Sequence, residues 1–353
     1  MEYALSAAQA DEVLRALSRD FTVCAPKRFP KAGRYSDTDI VRYDRVEKFS
    51  DIVWETKSDY PAKEAVSPIQ QTLFYFTEDE FRESKGPKKP ILLFARPCDI
   101  HAQRIQAKIY AGNGGFEDFY YTRVRNLVKF AMMECGVGDD TCFCVSMGTN
   151  RTEDCSMAVK FSAEGMQVQL KEEAFLPYFQ GMPETSYTPA FVEENVLKVE
   201  PPDLSDEGVY QALKKHPMWK EFDSRCTSGG SCTVACSTCT CFTTRDVLYG
   251  DNAEVGERRR VAASCQVAGF DQMAGQRELR STPGDRMRYK VLHKFHDYKA
   301  RFGESHMCVG CGRCIHRCPE FISIAETVRK MSAAVQEIQE EQSRAQAGAG
   351  VQP

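Results

Sequence analysis

The chain has 353 residues, of which 42% are hydrophobic and 27% are charged, and its formal net charge is −4. This composition is typical of a globular protein with two or three domains, and it lacks the basic excess that indicates nucleic-acid binding. No apolar run reaches the roughly 18 residues of a membrane span, and the first residues lack the basic and apolar regions of a signal peptide. We therefore expect a cytoplasmic protein that binds neither nucleic acid nor a membrane.

The first half of the chain alternates between helical and strand-like patterns. Residues 1–20 have the apolar spacing of an amphipathic helix, and ILLFA at 91–95 predicts a buried strand that leads into helical spacing near 100–110. Other segments have strand-like patterns or fit either a strand or a helix: residues 120–130, 143–148 and 157–170. Strands interleaved with helices predict a mixed α/β domain over residues 1–205.

The second half predicts helices. Two helices lead into a dense run of cysteines, and the segments 257–270, 287–303 and 322–331 have helical spacing without strand alternation. We therefore expect an α+β protein in which an all-α domain, residues 206–333, follows the mixed domain. The polar, Ala/Gly-rich residues 334–353 predict a flexible tail.

The sixteen cysteines are the unusual feature of the composition. Ten fall between positions 226 and 318, and four fall between positions 98 and 144. This density is below that of a disulfide scaffold, and nothing in the sequence indicates an oxidising compartment. Clustered thiols in a reducing compartment more often bind metal or carry out redox chemistry.

The cysteines nearest the carboxyl terminus have the spacing C-x2-C-x2-C-x3-C-P, which is that of bacterial two-cluster ferredoxins. They are Cys308, Cys311, Cys314 and Cys318, followed by Pro319. Steps of three residues let one tight turn present three thiolates to three corners of a [4Fe-4S] cluster, and Gly310 and Gly312 let the backbone come close. Zinc sites more often pair two C-x2-C units across a longer spacer. The sequence therefore predicts iron–sulfur ligation here.

The fourth cysteine of such a motif ligates the other cluster, so a second motif is expected upstream. Cys226, Cys232 and Cys236 fall at its first, third and fourth positions, whereas Gly229 occupies the second position and Ser237 replaces the proline. We expect Cys236 to join Cys308, Cys311 and Cys314 at one cluster, and Cys318 to join Cys226 and Cys232 at the other.

The second cluster lacks a ligand at Gly229. Three further cysteines follow the motif, namely Cys239, Cys241 and Cys265. One of them supplies the fourth ligand, or one iron is left open or is bound by another group. About ninety largely helical residues separate Cys226 from Cys318, and this separation favours an all-α ferredoxin domain with two [4Fe-4S] clusters.

Basic residues and histidines also occur near these cysteines. The arginines are Arg225, Arg245, Arg258, Arg259, Arg260, Arg313 and Arg317. Cations close to a negatively charged cluster raise its reduction potential, but a run such as ERRR also fits a solvated helix face or a docking patch. His293, His296 and His316 are more simply explained as surface or packed side chains, because cysteines already suffice as ligands.

The amino-terminal cysteines suggest a further site. Cys98 follows the predicted strand at 91–95, and Cys135, Cys142 and Cys144 lie in two later loops. Loops at strand ends often carry functional residues, so these four thiols could converge on a third cluster or a zinc ion. The alternative is that they are small buried core residues. Neither a Ser/His/Asp set, a G-x-G-x-x-G motif nor a P-loop is present, so we expect no catalytic residues and no nucleotide site.

The cysteine runs carry a resemblance to a known family. CTSGGSCTVACSTCTCF and MCVGCGRCIHRCPEFIS, together with residues 60–64, 96–101 and CFCVSMGTN, resemble the iron–sulfur electron-transfer subunit of anaerobic sulfite reductase over nearly the whole chain. The β subunits of soluble nickel–iron hydrogenases are similar, but they carry a cysteine where this chain has Gly229. The variant motif therefore favours the sulfite reductase branch.

The resemblance implies an electron-transfer subunit of an NADH-dependent oxidoreductase. A partner flavoprotein would oxidise NADH, the clusters of this chain would pass single electrons, and a sirohaem subunit would reduce sulfite to sulfide. The alternatives are the equivalent subunit of a soluble nickel–iron hydrogenase, or a zinc-stabilised interaction scaffold.

Overall fold

The computed structural model describes residues 1–349, and the side chains of residues 1–346. The strands are β1 (Glu2–Ser6), β2 (Thr22–Phe29), β3 (Ile40–Arg45), β4 (Gln70–Phe76), β5 (Phe81–Glu83), β6 (Ile91–Ala95), β7 (Val128–Met133), β8 (Met157–Ser162), β9 (Gly165–Leu170), β10 (Phe242–Leu248) and β11 (Gly256–Ala262). The α-helices are α1 (Ala7–Asp20), α2 (Pro97–Gly112), α3 (Phe119–Arg125), α4 (Glu207–Lys215), α5 (Glu221–Arg225), α6 (Ser231–Val234), α7 (Pro283–Leu292), α8 (Tyr298–Phe302), α9 (Arg313–His316) and α10 (Ile324–Ala349).

A seven-stranded mixed sheet forms the amino-terminal half, in the order β1-β9-β8-β7-β6-β2-β3. The strand predicted at 91–95 is confirmed as β6, and all five of its residues are buried. Leu92 and Phe94 pack in the core that includes α1, whereas Leu93 and Ala95 pack in the core that includes α2 and α3. Alternate residues of β6 thus enter opposite cores, because helices cover both faces of the sheet.

Two amino-terminal segments differ from the sequence prediction. The helix predicted over residues 1–20 begins only at Ala7, because Ser6 caps it: the Ser6 hydroxyl accepts from the Gln9 amide, and the Gln9 side chain accepts from the Ser6 amide. Residues 157–170 form strands β8 and β9 as predicted. The strand-like segment 143–148 instead forms turns, closed by bonds such as that from the Thr149 amide to the Cys144 carbonyl.

A second sheet joins the two halves of the chain, in the order β10-β11-β4-β5. The prediction of a helix at 257–270 is wrong, because residues 256–262 form strand β11. This strand pairs with β4 on one side and with β10 on the other. Its arginines have acidic partners: Arg258 binds Asp246 across the hairpin. The second half is therefore mainly helical with one hairpin, rather than all-α. The boundary proposed at residue 205 stays a prediction, since the shared sheet crosses it.

The helices of the second half pack around one apolar core, which includes Trp219, Phe222 and Phe295. The prediction of a flexible tail from residue 334 is wrong for residues 334–349. Helix α10 continues to Ala349 and buries Val335 and Ile338 in this core. Residues 350–353 of that expected tail lie outside the described residues. Within residues 1–349, no helix is both long and apolar enough to cross a membrane.

Candidate iron–sulfur centre

The loop that carries Cys308 and Cys314 is a tight turn with two left-handed residues. Gly310 has φ +64° and Gly312 has φ +69°, and Gly312 caps the short helix α9. Left-handed backbone costs a residue with a side chain about 1–2 kcal/mol, so glycine suits both positions. The local sequence therefore forms the compact turn that the cysteine spacing predicts.

The amino-terminal half supplies the surface on which this loop sits. A Cβ atom added to Gly310 would lie 2.4 Å from the Phe143 carbonyl oxygen, and one added to Gly312 would lie 2.1 Å from the Thr141 carbonyl oxygen. The Phe143 amide donates to the Gly310 carbonyl at 2.8 Å, and the Thr149 hydroxyl donates to the Val309 carbonyl at 2.7 Å. The loop is thus clamped by residues that the sequence left unassigned.

Four thiols from the two cysteine runs line one enclosed cavity. They are Cys236, Cys308, Cys311 and Cys314. Phe143 and Ile324 give the cavity apolar walls, and Lys290 and Lys294 also line it. A closed, largely apolar cavity lined by four thiols and two cations fits a negatively charged [4Fe-4S] cluster. The fourth thiol comes from the other cysteine run, and its role as a ligand stays a prediction.

The two lysines give the cavity a buried positive charge. Burial alone would lower the pKa of Lys290, but Cys232 and Cys314, when they are ionised as metal ligands are, outweigh burial and raise that pKa. The pKa of Lys294 is raised in the same way, mainly by Cys236 and Cys239. Both ammonium groups therefore stay charged beside the thiols. Sequence analysis missed them, although a pair of lysines four residues apart in an apolar helical pattern was a usable signal.

Two of the four thiols, those of Cys308 and Cys314, need a positively charged partner in order to ionise. Burial raises the pKa of Cys308 far above its usual value and raises the pKa of Cys314 to about 12. A buried thiol with such a pKa does not ionise at neutral pH without a bound cation, and thiolates are the form that ligates iron. The donor set thus suits a group that brings its own positive charge, as iron does.

A buried ion pair fixes the side of the loop nearest Cys311. Arg313 makes a bidentate pair with Asp99, with N–O distances of 2.7 and 2.8 Å, and both side chains are 1% exposed. The Ser237 hydroxyl lies 3.2 Å from an Asp99 carboxylate oxygen and 3.4 Å from the Cys311 sulfur. One network therefore joins the amino-terminal domain, the first cysteine run and the second.

The remaining thiols of the two motifs, those of Cys226, Cys232 and Cys318, do not line this cavity. Cys226 ends helix α5, and Cys318 is buried and accepts a bond from the Ile322 amide at 3.4 Å. Both pack in the same apolar core. Cys232 lies on α6, which contacts α9 and places Cys232 beside Lys290. Gly229, at the remaining motif position, is exposed.

Three further cysteines form a group of their own. The thiols of Cys239 and Cys265 are the neighbours that most raise the pKa of Cys241. The Cys239 carbonyl accepts bonds from Lys63 at 3.0 Å and from Gln106 at 3.2 Å, which tie the group to the amino-terminal half. Within the part of the chain that the structure describes, no three Cys, His, Asp or Glu side chains are arranged to hold a single metal ion.

The amino-terminal cysteines lie around the same clamp. Cys98 is near the amino terminus of α2, and Cys135 lies 3.5 Å from the Arg96 guanidinium. The Cys142 sulfur is 3.7 Å from the Cys311 carbonyl oxygen, and the Cys144 sulfur is 3.6 Å from the Asn195 amide oxygen.

These four thiols also perturb one another electrostatically. After burial, Asp99 and Arg313, the thiols of Cys311 and Cys144 are the next influences on the pKa of Cys98. Cys142 and Cys135 raise the pKa of Cys144 after burial. Cys98 packs against the apolar cluster that includes Cys311, and Cys142 contacts the Cys311 carbonyl, whereas Cys144 lies near both Cys142 and Cys135.

Most of the basic residues singled out in the sequence have other roles. Arg259 and Arg260 pair with Glu257 and Asp118 around the second sheet. Arg317 lies 5.1 Å from the Tyr60 ring centroid. His293 is held by the Tyr289 carbonyl at 2.6 Å, and burial lowers its pKa to about 3.

Comparison with known proteins agrees with the cysteine pattern. Residues 225–322, which include both cysteine runs, match the family described as 4Fe-4S dicluster domain. Sulfhydrogenase 2 subunit beta of Pyrococcus furiosus is 28% identical over 306 residues, which are 82% of this chain and 89% of that protein. No solved structure matches. The chain therefore contains a 4Fe-4S dicluster domain behind a sheet-rich amino-terminal half.

Proposed function

We propose that this chain, with its iron–sulfur domain, is an electron-transfer subunit of a multi-subunit oxidoreductase. The observation that carries the proposal is the enclosed cavity at which three thiols of one ferredoxin motif meet a thiol of the other. Bound clusters accept and release single electrons. The protein's part is to hold the clusters, exclude water and set the surrounding charge.

Two ligand sets follow from the motifs. Cys308, Cys311, Cys314 and Cys236 would hold the first cluster, with Lys290 and Lys294 offsetting its negative charge. Cys226, Cys232 and Cys318 would hold the second cluster. Because α6 and α9 contact each other, the ligands that they carry for the two clusters lie near one another, which keeps the two clusters close.

A third metal site would lie on the amino-terminal side. Cys98 and Cys142 lie beside Cys311, and Cys144 and Cys135 follow on from them, so a group bound there would neighbour the first cluster. Arg96 and Lys57 lie 3.5 and 3.7 Å from two of these sulfurs and would offset thiolate charge. A cluster is favoured over a single zinc ion, because no three ligand side chains among the described residues are arranged around one metal ion. A cluster would give the protein colour and further iron, whereas zinc would not.

Two kinds of complex are candidates. The similarity to a sulfhydrogenase β subunit over most of both chains favours a hydrogenase-type complex, which was the alternative in the sequence analysis. Gly229 instead favours the anaerobic sulfite reductase branch, whose partners would be an NADH-oxidising flavoprotein and a sirohaem subunit. Anaerobic co-purification from the native cytoplasm distinguishes them: nickel in the complex supports the first interpretation, and sirohaem supports the second.

The cluster assignment itself is tested by Cys311→Ser. Removing this ligand should lower iron by about four atoms per chain and stop electron flow to the terminal acceptor. Cys24→Ser, at a thiol distant from the motifs in sequence, is the matched control and should retain its iron. Full iron content in Cys311→Ser would contradict the assignment.

A further inference from the structure

We infer that Gly229 leaves one iron of the second cluster without a protein ligand, and that this iron accepts a small external anion. The inference rests on the proposed function, since it requires clusters at the two motifs. It concerns the one motif position at which the chain carries no side chain, in a loop that otherwise keeps the backbone of a ligand-presenting turn.

The two cysteine loops share one backbone conformation. Ser228 has φ +57° and Gly230 has φ +76°, and they occupy the motif positions of Gly310 and Gly312. Each loop ends with a left-handed glycine that caps a four-residue helix. Gly229 therefore occupies the backbone position that Cys311 occupies in the other loop. A serine in the left-handed region is unusual, so the turn is held by its surroundings rather than by its own preference.

The absence of a side chain at 229 has no steric cause. A Cβ atom added to Gly229 would meet only the Thr227 hydroxyl, at 3.9 Å, and its φ lies outside the left-handed region. Gly230 differs, because a Cβ atom there would lie within 3.1 Å of Ser264. A cysteine at 229 would thus fit without strain, and its absence leaves an exposed gap in the ligand set.

The cysteines that could replace it are engaged with one another. The thiols of Cys239 and Cys265 lie close enough to Cys241 to raise its pKa, and Cys265 is also approached by the Gln266 side chain at 3.8 Å. Ser228 is also engaged, because its hydroxyl accepts a bond from the Arg286 guanidinium at 2.9 Å.

The charge next to the gap favours an anion. Arg286 is 4% exposed, and besides Ser228 it bonds the carbonyl groups of Arg280 and Ser281 at 3.0 Å. Among the described residues, its Nε atom has no hydrogen-bond partner. A buried guanidinium that binds the residue next to an exposed iron position would stabilise a thiolate or a cyanide ion bound there.

Mild oxidation with ferricyanide tests the inference. An iron held by no protein thiolate is released when the cluster loses an electron: [4Fe-4S]²⁺ gives [3Fe-4S]⁺, Fe²⁺ and one electron, which ferricyanide takes up. Wild-type protein should release about one iron per chain and develop the isotropic EPR signal of a three-iron cluster. Cyanide added to the reduced protein should shift the EPR spectrum of one cluster only.

Variants at 229 provide matched comparisons. Gly229→Cys should keep its iron under ferricyanide and lose the cyanide response, whereas Gly229→Ala, which adds a Cβ without a thiol, should behave as wild type. Release of the same iron from Gly229→Cys, or its retention by wild type, would overturn the inference while leaving the clusters in place. A three-iron signal in freshly isolated Cys265→Ala or Ser228→Ala would overturn it too, by identifying that residue as the ligand. Wild-type protein without iron would instead refute the proposed function.

Discussion

At the scale of single residues, the glycines of the carboxy-terminal loop show how closely two parts of the chain approach. Gly310 combines a left-handed backbone with a carbonyl oxygen 2.4 Å from where a Cβ atom would lie. The clash is with backbone, which cannot rotate away as a side chain end can. The loop can therefore present its thiols only while this position stays bare.

Gly310→Ala should destabilise the protein by more than the 1–2 kcal/mol of left-handed strain alone and should lower its iron content. Gly181→Ala is the control, because Gly181 also has a left-handed φ, +78°, but nothing lies within 4 Å of its added Cβ. Denaturant unfolding and iron assay check both variants. Equal losses of stability would show that the approach to Phe143 is unimportant.

The Arg313–Asp99 pair leads to a second prediction. Because both charges are buried, Arg313→Ala leaves a carboxylate without its partner and should lower the free energy of unfolding by about 3–5 kcal/mol. Arg344→Ala removes an exposed pair with Glu340 and should cost less than about 1 kcal/mol. Denaturant unfolding under anaerobic conditions measures both values. A small effect for Arg313→Ala would mean that the pair is not what fixes the loop.

Lys294 should influence the cluster's reduction potential. Replacing Lys294 with methionine removes a buried positive charge. Loss of this charge disfavours the reduced cluster, because the reduced cluster is more negative than the oxidised one. The potential should therefore fall, by an amount on the order of 50–100 mV. Lys299→Met, at an exposed position five residues later, should leave it unchanged. Redox titration followed by EPR gives both potentials, and an unchanged potential in Lys294→Met would separate this lysine from the cluster.

At this scale the sequence predicted the thiols better than their surroundings. Spacing alone brought Cys236 together with Cys308 and Cys314, because motif spacing reflects local turn geometry. It could not pair Arg313 with Asp99, which lies 214 residues earlier in the chain. Partners so far apart are set by tertiary packing.

At the scale of elements, helix α10 shows why composition alone misjudged the end of the chain. Residues after 334 are polar enough to suggest a tail, yet Ala334, Val335 and Ile338 recur at helical spacing and are buried. A narrow apolar stripe on a charged helix is enough to dock it on a core.

Ile338→Ala tests that docking directly. It should cost about 2–5 kcal/mol of unfolding free energy, because a buried side chain is lost from the core. Gln339→Ala, at the neighbouring exposed position, should change stability by less than about 0.5 kcal/mol. If both variants were silent, the helix would not be packed there in solution.

Strand β11 was missed for a different reason. Its sequence, GERRRVA, has weak alternation and many charges, and such a segment is a strand only because β4 and β10 pair with both its edges. Strand β6 was predictable because its buried run is itself a strong signal. Elements whose pattern is local can be found from sequence, whereas those made by pairing cannot.

At the scale of the whole molecule, the two halves of the chain are joined by several contacts and do not form separate functional units. The second sheet, the Arg313–Asp99 pair and the contact of residues 141–143 with the carboxy-terminal loop all cross between them. The amino-terminal half therefore helps to form the cavity lined by Cys236, Cys308, Cys311 and Cys314, and it places Cys98 and Cys142 close to Cys311. This arrangement would bring successive redox groups close to one another within one chain.

Iron and acid-labile sulfide per chain, measured on anaerobically purified protein, test the central claim most directly. We expect about eight iron and eight sulfide atoms for two clusters, and about four more of each if the amino-terminal cysteines hold a third. The protein should be brown and should bleach on reduction. A colourless protein that contains zinc, with neither iron nor sulfide, would show that the chain is not an iron–sulfur protein.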